Sequence, residues 1–113
     1  MPQLIARLPV TILINTSLSA AVHIRGGLLT VIEMPAAWDA ANHTFQTSGD
    51  GSTYENVYDE SGTEVTVTAS TARRIRLDAA QWAGIEYLKI RSGTAGAAVN
   101  QSAERILYIE VWE

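Results

Sequence analysis

His43-Thr44-Phe45-Gln46-Thr47-Ser48, followed by Gly49-Asp50-Gly51, reads as a strand and the turn that ends it. Side chains of an extended chain alternate between its two faces, so Thr44, Gln46 and Ser48 share one face and His43, Phe45 and Thr47 the other. The two glycines offer positive φ, and the aspartate between them offers a side-chain acceptor for turn amides. Thr53 to Tyr58 beyond the turn is the expected second arm of a hairpin.

Outward from this hairpin the same rhythm continues. Toward the N-terminus, Pro9 to Asn15, Ala20 to Arg25 and Gly27 to Glu33 read as strands divided by Ser17-Leu18-Ser19 and Gly26-Gly27. Toward the C-terminus, Asp59-Glu60-Ser61-Gly62 is a second turn and Glu64 to Thr68 alternates again. Arg73 to Leu77 places Ile75 and Leu77 inward and Arg74 and Arg76 outward, and Ile85 to Arg91 sets Leu88 and Ile90 opposite Tyr87, Lys89 and Arg91. Ser92 to Ser102, small and polar, reads as a loop, with Gly93-Thr94-Ala95-Gly96 as its flexible part. Glu104 to Trp112 is almost continuously apolar, which predicts a strand covered on both faces.

Two alanine-rich segments, Ala36 to Ala41 around Trp38 and Ala79 to Gly84 around Trp82, lack β-branching and predict short helical connectors. Eight or nine short strands with such connectors predict an all-β fold: an antiparallel two-sheet sandwich, jelly-roll-like, with two short helical connectors. Residues 9–113 form its single domain. Residues 1–8 are either an N-terminal arm that adds a strand to a neighbour's sheet edge or the first strand of the sandwich itself.

With 113 residues, 47% of them hydrophobic and 18% charged, the chain can fold alone yet is poorer in charge than most domains. Some apolar surface is therefore expected against a partner. A net charge of −4 with eight Lys and Arg residues excludes a phosphate-binding nucleic-acid interface. No apolar run approaches the ~20 residues of a membrane-spanning helix. The apolar N-terminus lacks a basic leader and is interrupted by Arg7 and Pro9, so a soluble protein without a signal peptide is expected. Absence of cysteine removes disulfides, thiolate nucleophiles and Cys-based zinc sites.

Catalysis has little to work with. His23 and His43 are the only histidines; each lies in an expected strand with no Ser-centred elbow or metal-ligand spacing nearby, so no enzyme activity and no cofactor are expected. Asp50, Glu55, Asp59, Glu60 and Glu64 match no EF-hand spacing and read as turn carboxylates, so no metal is expected. Binding is the remaining chemistry. Arg73, Arg74 and Arg76 can engage an acidic partner through bidentate contacts, Trp112 can dock on a neighbour, and Leu4, Ile5 and Arg7 belong to the segment that would act as an arm. Trp38, Tyr54 and Tyr58 are the candidates for a sugar-stacking site; the competing reading has Trp38 and Trp82 capping the ends of the core.

Several stretches carry a resemblance: Ile32-Glu33-Met34-Pro35-Ala36-Ala37-Trp38-Asp39, Thr44-Phe45-Gln46, Gly49-Asp50-Gly51-Ser52-Thr53-Tyr54 and Tyr58-Asp59. Others are Arg73-Arg74-Ile75-Arg76-Leu77-Asp78, Trp82-Ala83-Gly84, Leu88-Lys89-Ile90-Arg91-Ser92-Gly93-Thr94 and Val99-Asn100-Gln101. Together they resemble small structural proteins of tailed bacteriophages and prophages. The resemblance implies a virion component made in the host cytoplasm, of the cement or decoration type on the capsid exterior. Its implied partners are the major capsid protein, other virion subunits and further copies of itself, with a trimer favoured. A carbohydrate-binding sandwich module of a head fibre or tail is the alternative.

Overall fold

The computed structural model describes residues 3–113; Met1 and Pro2, the start of the expected arm, lie outside the described residues. Among the described residues eight strands are present: β1 (Leu4–Ile12), β2 (Val22–His23), β3 (Leu28–Glu33), β4 (His43–Ser48), β5 (Glu55–Asn56), β6 (Arg74–Arg76), β7 (Tyr87–Ser92) and β8 (Arg105–Trp112). They form two antiparallel sheets of four, in the orders β1-β8-β3-β6 and β2-β7-β4-β5. Each strand of the first half pairs with its mirror in the second: β1 with β8, β2 with β7, β3 with β6 and β4 with β5. Successive pairs fall alternately in the two sheets, as if one long hairpin had been wound upon itself.

Period-two alternation explains which side chains meet between the sheets. Val10, Ile12, Leu29, Ile32, Leu107, Ile109 and Val111 come from the first sheet and Phe45, Leu88 and Ile90 from the second, all buried. Arg74 and Arg76 face outward around inward Ile75, and His43 and Phe45 face inward from β4. β8 departs from the expected double cover: Leu107, Ile109 and Val111 are sealed, whereas Ile106 on the other face is 42% exposed.

No helix occurs among the described residues, so neither expected connector forms. Six residues cannot repay the cost of nucleating a helix unless packing favours one, and here packing favours the tryptophan. Trp38 is buried in the core with Nε1 donating to the Ala41 carbonyl at 3.0 Å, which closes an irregular turn. Residues 79–84 are consecutive turns, with Gln81 N donating to Asp78 O and Trp82 N to Ala79 O, and they set Trp82 into the core. The expected strand at 53–58 is reduced to β5, and 64–68 contributes isolated bridges, Tyr58 to Glu64 and His43 to Val67. Asp59 sits between these segments and accepts Ser61 N and Thr63 N, so a tight side-chain-capped turn replaces a longer ladder.

Residues 4–8 run within β1, paired to β8. β1 is an edge strand nine residues long, the kind that invites pairing with another chain. Two features blunt it. The register shifts between Leu4 and Ala6, and Pro9 stands opposite Tyr108. A proline cannot exchange ladder bonds, so this is a non-hydrogen-bonded pair and the missing N–H falls on the free edge.

The segment expected to be a flexible loop is instead folded back on itself. Gly93 bridges Ala98, and Thr94 and Ala97 exchange backbone hydrogen bonds. Gly93 has φ of 90°, and a Cβ there would lie 2.6 Å from the Ala97 carbonyl oxygen and 2.7 Å from Val99 N. Both obstacles are backbone. Gly93→Ala is therefore expected to cost about 2–3 kcal/mol from φ strain and overpacking, read as a lower urea midpoint with unchanged slope; an unchanged midpoint would contradict the geometry.

Candidate functional site

The outer face of the β1-β8-β3-β6 sheet gathers most of the residues singled out for partner binding. Arg7 on β1, Glu33 on β3, Arg74 on β6 and Glu110 on β8 all point outward and form an alternating charge chain across the four strands. Arg7 pairs with Glu33, Arg74 donates to Glu33 at 2.9 Å, and the same guanidinium reaches Glu110 at 2.6 Å. Arg7 also lies over the Tyr108 ring, 3.7 Å from its centroid. On the same face lie the apolar outward residues of the sheet, Leu28, Val31, Tyr108 and Trp112, of which Val31 is buried by its own neighbours. The arginine stems cover part of that apolar row while their heads stay wet.

The electrostatics follow. The Arg7 guanidinium, with Arg74 adding to it, holds the Glu33 carboxyl below its usual range, and Glu110 and Glu33 push Arg74 above its own. Each arginine is matched by a carboxylate, so a partner meets paired charges and not free cations.

Other expected residues separate from this face. Arg73 turns away, its Nε donating to the Thr71 carbonyl at 3.2 Å. Arg76 is exposed on β6 beside a shallow groove lined by Leu28, Val31, Leu77, Ala79 and Trp112. Leu4 and Ile5 are 47% and 49% exposed at the end of β1 nearest Trp112, which pairs with Leu4 in register. Glu33, Glu110 and Tyr108 complete the network but were not singled out from the sequence. Alternation in β8 could have found Glu110 and Tyr108, two and four positions before Trp112 on the same face.

The sugar candidates are not brought together. Trp38 is in the core, a correction that follows from its ring filling the space beside His43, edge to face at 5.1 Å. Tyr54 is capped by Lys89, whose Nζ lies 4.3 Å from the ring centroid. Tyr58 is 54% exposed, at a cleft that also includes Asp59, Glu60 and Gln81. On the second sheet's outer face Tyr87 stacks on His23 at 4.2 Å and 10°, and the Gly51 backbone packs against the same ring. The remaining outward polar groups satisfy one another: Arg91 bonds Thr44, Asn56 and Glu64, and Gln46 bonds Asn56.

Among the described residues no group of three or more histidines and carboxylates converges as a metal site. The turn carboxylates serve their own loops, Asp50 accepting Ser52 N, Thr53 N and Ser48 Oγ; those bonds lower its pKa to about 2. Comparison with protein families, with curated proteins and with solved structures finds no match to this chain.

Proposed function

We propose that this protein is a non-enzymatic structural component of a bacteriophage virion, a cement protein that sits on the capsid exterior, self-associates and clamps major capsid subunits. The observation that carries the reading is the outer face of the β1-β8-β3-β6 sheet. A half-apolar row including Leu28, Tyr108 and Trp112 shares this face with a paired array of two arginines and two glutamates, with exposed Leu4 and Ile5 at its margin. Protein interfaces combine aromatic and arginine anchors in this way, and pre-ordered side chains lose little entropy on docking. A small symmetric contact repeated over a particle multiplies its affinity.

The nested pairing supports a jelly-roll topology, an architecture used by viral capsid domains and by lectins alike. Fold alone does not choose between them. The carbohydrate reading has less support, because Tyr58 stands without a second free ring and Trp38 is enclosed. No catalytic role is included: His43 is sealed in the core and His23 is held between Tyr87 and Glu86.

The test is cosedimentation with empty heads assembled from the major capsid protein encoded in the same genome. Saturable pelleting, weakened at least tenfold by Trp112→Ala combined with Arg76→Ala, is the expected result. A chain that stays in the supernatant at every concentration while retained on a polysaccharide matrix would replace this reading with sugar binding.

A further inference from the structure

His43 Nδ1 is a buried polar atom without a hydrogen-bond partner, in a ring that is itself fully enclosed. The Met34 sulfur lies 3.0 Å from Nε2, and Trp38 and Phe45 meet the ring edge to face. Ser92 stands opposite His43 on β7, and Val67 is bridged to it on its other side. None of these five side chains carries a charge. Charged groups on the adjoining segments are engaged elsewhere, Arg91 with Asn56 and Glu64, and Asp39 with Arg105 and Ser102. An imidazolium here would have neither water nor a counter-ion, so the ring is neutral for as long as it stays covered.

The cover is thin on one side. β4 pairs with β7 along one edge for its whole length, whereas its other edge is shared. β5 takes Gln46 and Thr47, Val57 N donates to the Phe45 carbonyl, and after an excursion through 58–64 the chain returns at His43 as a strap. Val65, Val67 and Ala69 of the strap are half-buried, and Thr66 and Thr68 between them are exposed. Its ends are pinned, Val65 N donating to the Val57 carbonyl and Ala72 N to the Pro35 carbonyl. Between the pins Val67 exchanges both backbone bonds with His43, and Ala69 N donates to Asn42 Oδ1. An edge segment with so few ties opens at less cost than the domain unfolds.

We propose that residues 66–71 are an acid-released strap: when His43 takes up a proton the strap lifts from β4 and lets water reach the ring, while the two sheets stay folded. The coupling is direct, because the residue whose ring must be wetted is the one whose backbone holds the strap. Under cover, burial pushes the His43 pKa from 6.5 down to about 4, and opening returns it to the ordinary value. Protons therefore favour the open form below the ordinary value, by about 20-fold at pH 5 relative to pH 7 for that difference in proton affinity. The strap needs no partner and is independent of the capsid reading.

Amide hydrogen exchange at pH 7, 6, 5 and 4.5, each rate referred to its intrinsic value at that pH, tests it on the wild type, His43→Leu and Glu64→Gln. In the wild type the Val67 and Ala69 amides are expected to be at least tenfold less protected than those of Leu107 and Ile109 in central β8 at every pH. They are expected to lose at least a further tenfold between pH 7 and pH 5. His43→Leu is expected to abolish that loss. Glu64→Gln, which removes the carboxylate that accepts Ala95 N at the head of the strap, is expected to keep it. Strap protection equal to that of β8 would make the opening global and overturn the proposal. So would strap protection indifferent to pH, a loss as large in His43→Leu, or no loss in Glu64→Gln. The two wild-type comparisons stand without either variant.

Discussion

Phe45→Ala is expected to cost about 3–5 kcal/mol of stability, the range for deleting a buried aromatic ring. Phe45 is fully enclosed on β4, opposite Ile90 in register, with Trp82 edge to face at 4.7 Å and 76° and His43 at 6.5 Å. Collapse around the missing ring is restricted, because β4 is held on one side by β7 over six residue pairs and on the other by β5. Against a total of about 5–15 kcal/mol for a domain of this kind, such a loss consumes a large share. Urea unfolding measures it. A loss below about 1.5 kcal/mol would mean that the two sheets are not joined through this ring.

Acid is expected to weaken the fold before the carboxylates of Glu33, Asp39 and Asp50 protonate. Burial pushes the His43 pKa from 6.5 down to about 4, offset in part by the Arg91 backbone carbonyl. The Arg91 carbonyl is close enough to oppose the shift but too poorly placed to bond the ring, so Nδ1 has no hydrogen-bond partner, and Nε2 faces the Met34 sulfur at 3.0 Å between Trp38 and Phe45. The histidine is thus neutral in the folded chain and charges in the unfolded one as pH falls below its ordinary value. More protons bound by the unfolded state mean stability that declines with falling pH, between about 6.5 and 4, by about 3 kcal/mol at the limit. Glu33, Asp39 and Asp50 have lowered pKa values, so what they contribute is lost only at lower pH. Unfolding free energies at pH 7, 6, 5 and 4.5 check this, with His43→Leu expected to flatten the decline. An equal decline in that variant would remove His43 as its source.

Much of this fold is legible in single strands. β4 matches the residues whose alternation opened the reading, and β6 and β7 turn the expected faces inward, because two-residue periodicity reports directly on burial. Helix propensity misleads at Ala36 to Ala41 and Ala79 to Gly84, where one tryptophan's demand for the core outweighs several alanines' small preferences. The site divides the same way. Arg7, Arg74, Arg76 and Trp112 come to one face because each occupies an outward strand position, whereas their carboxylate partners arrive from strands distant in sequence, a pairing that only the register determines. Trp38 as a sugar platform fails for a related reason: an aromatic on an irregular segment carries no periodicity to say which way it turns.

The pairing of β1 with β8 has a consequence for synthesis. Leu4 meets Trp112, so β1 waits for β8, and β3 also lies against β8. Neither β1 nor β3 can complete its ladder until residue 112 has left the ribosome. Folding of the first sheet then waits on closing the long loop between β1 and β8, a non-local pairing that slows it. Until that closure two apolar strands stand with open edges, so the nascent chain is most prone to aggregate just before β8 joins them.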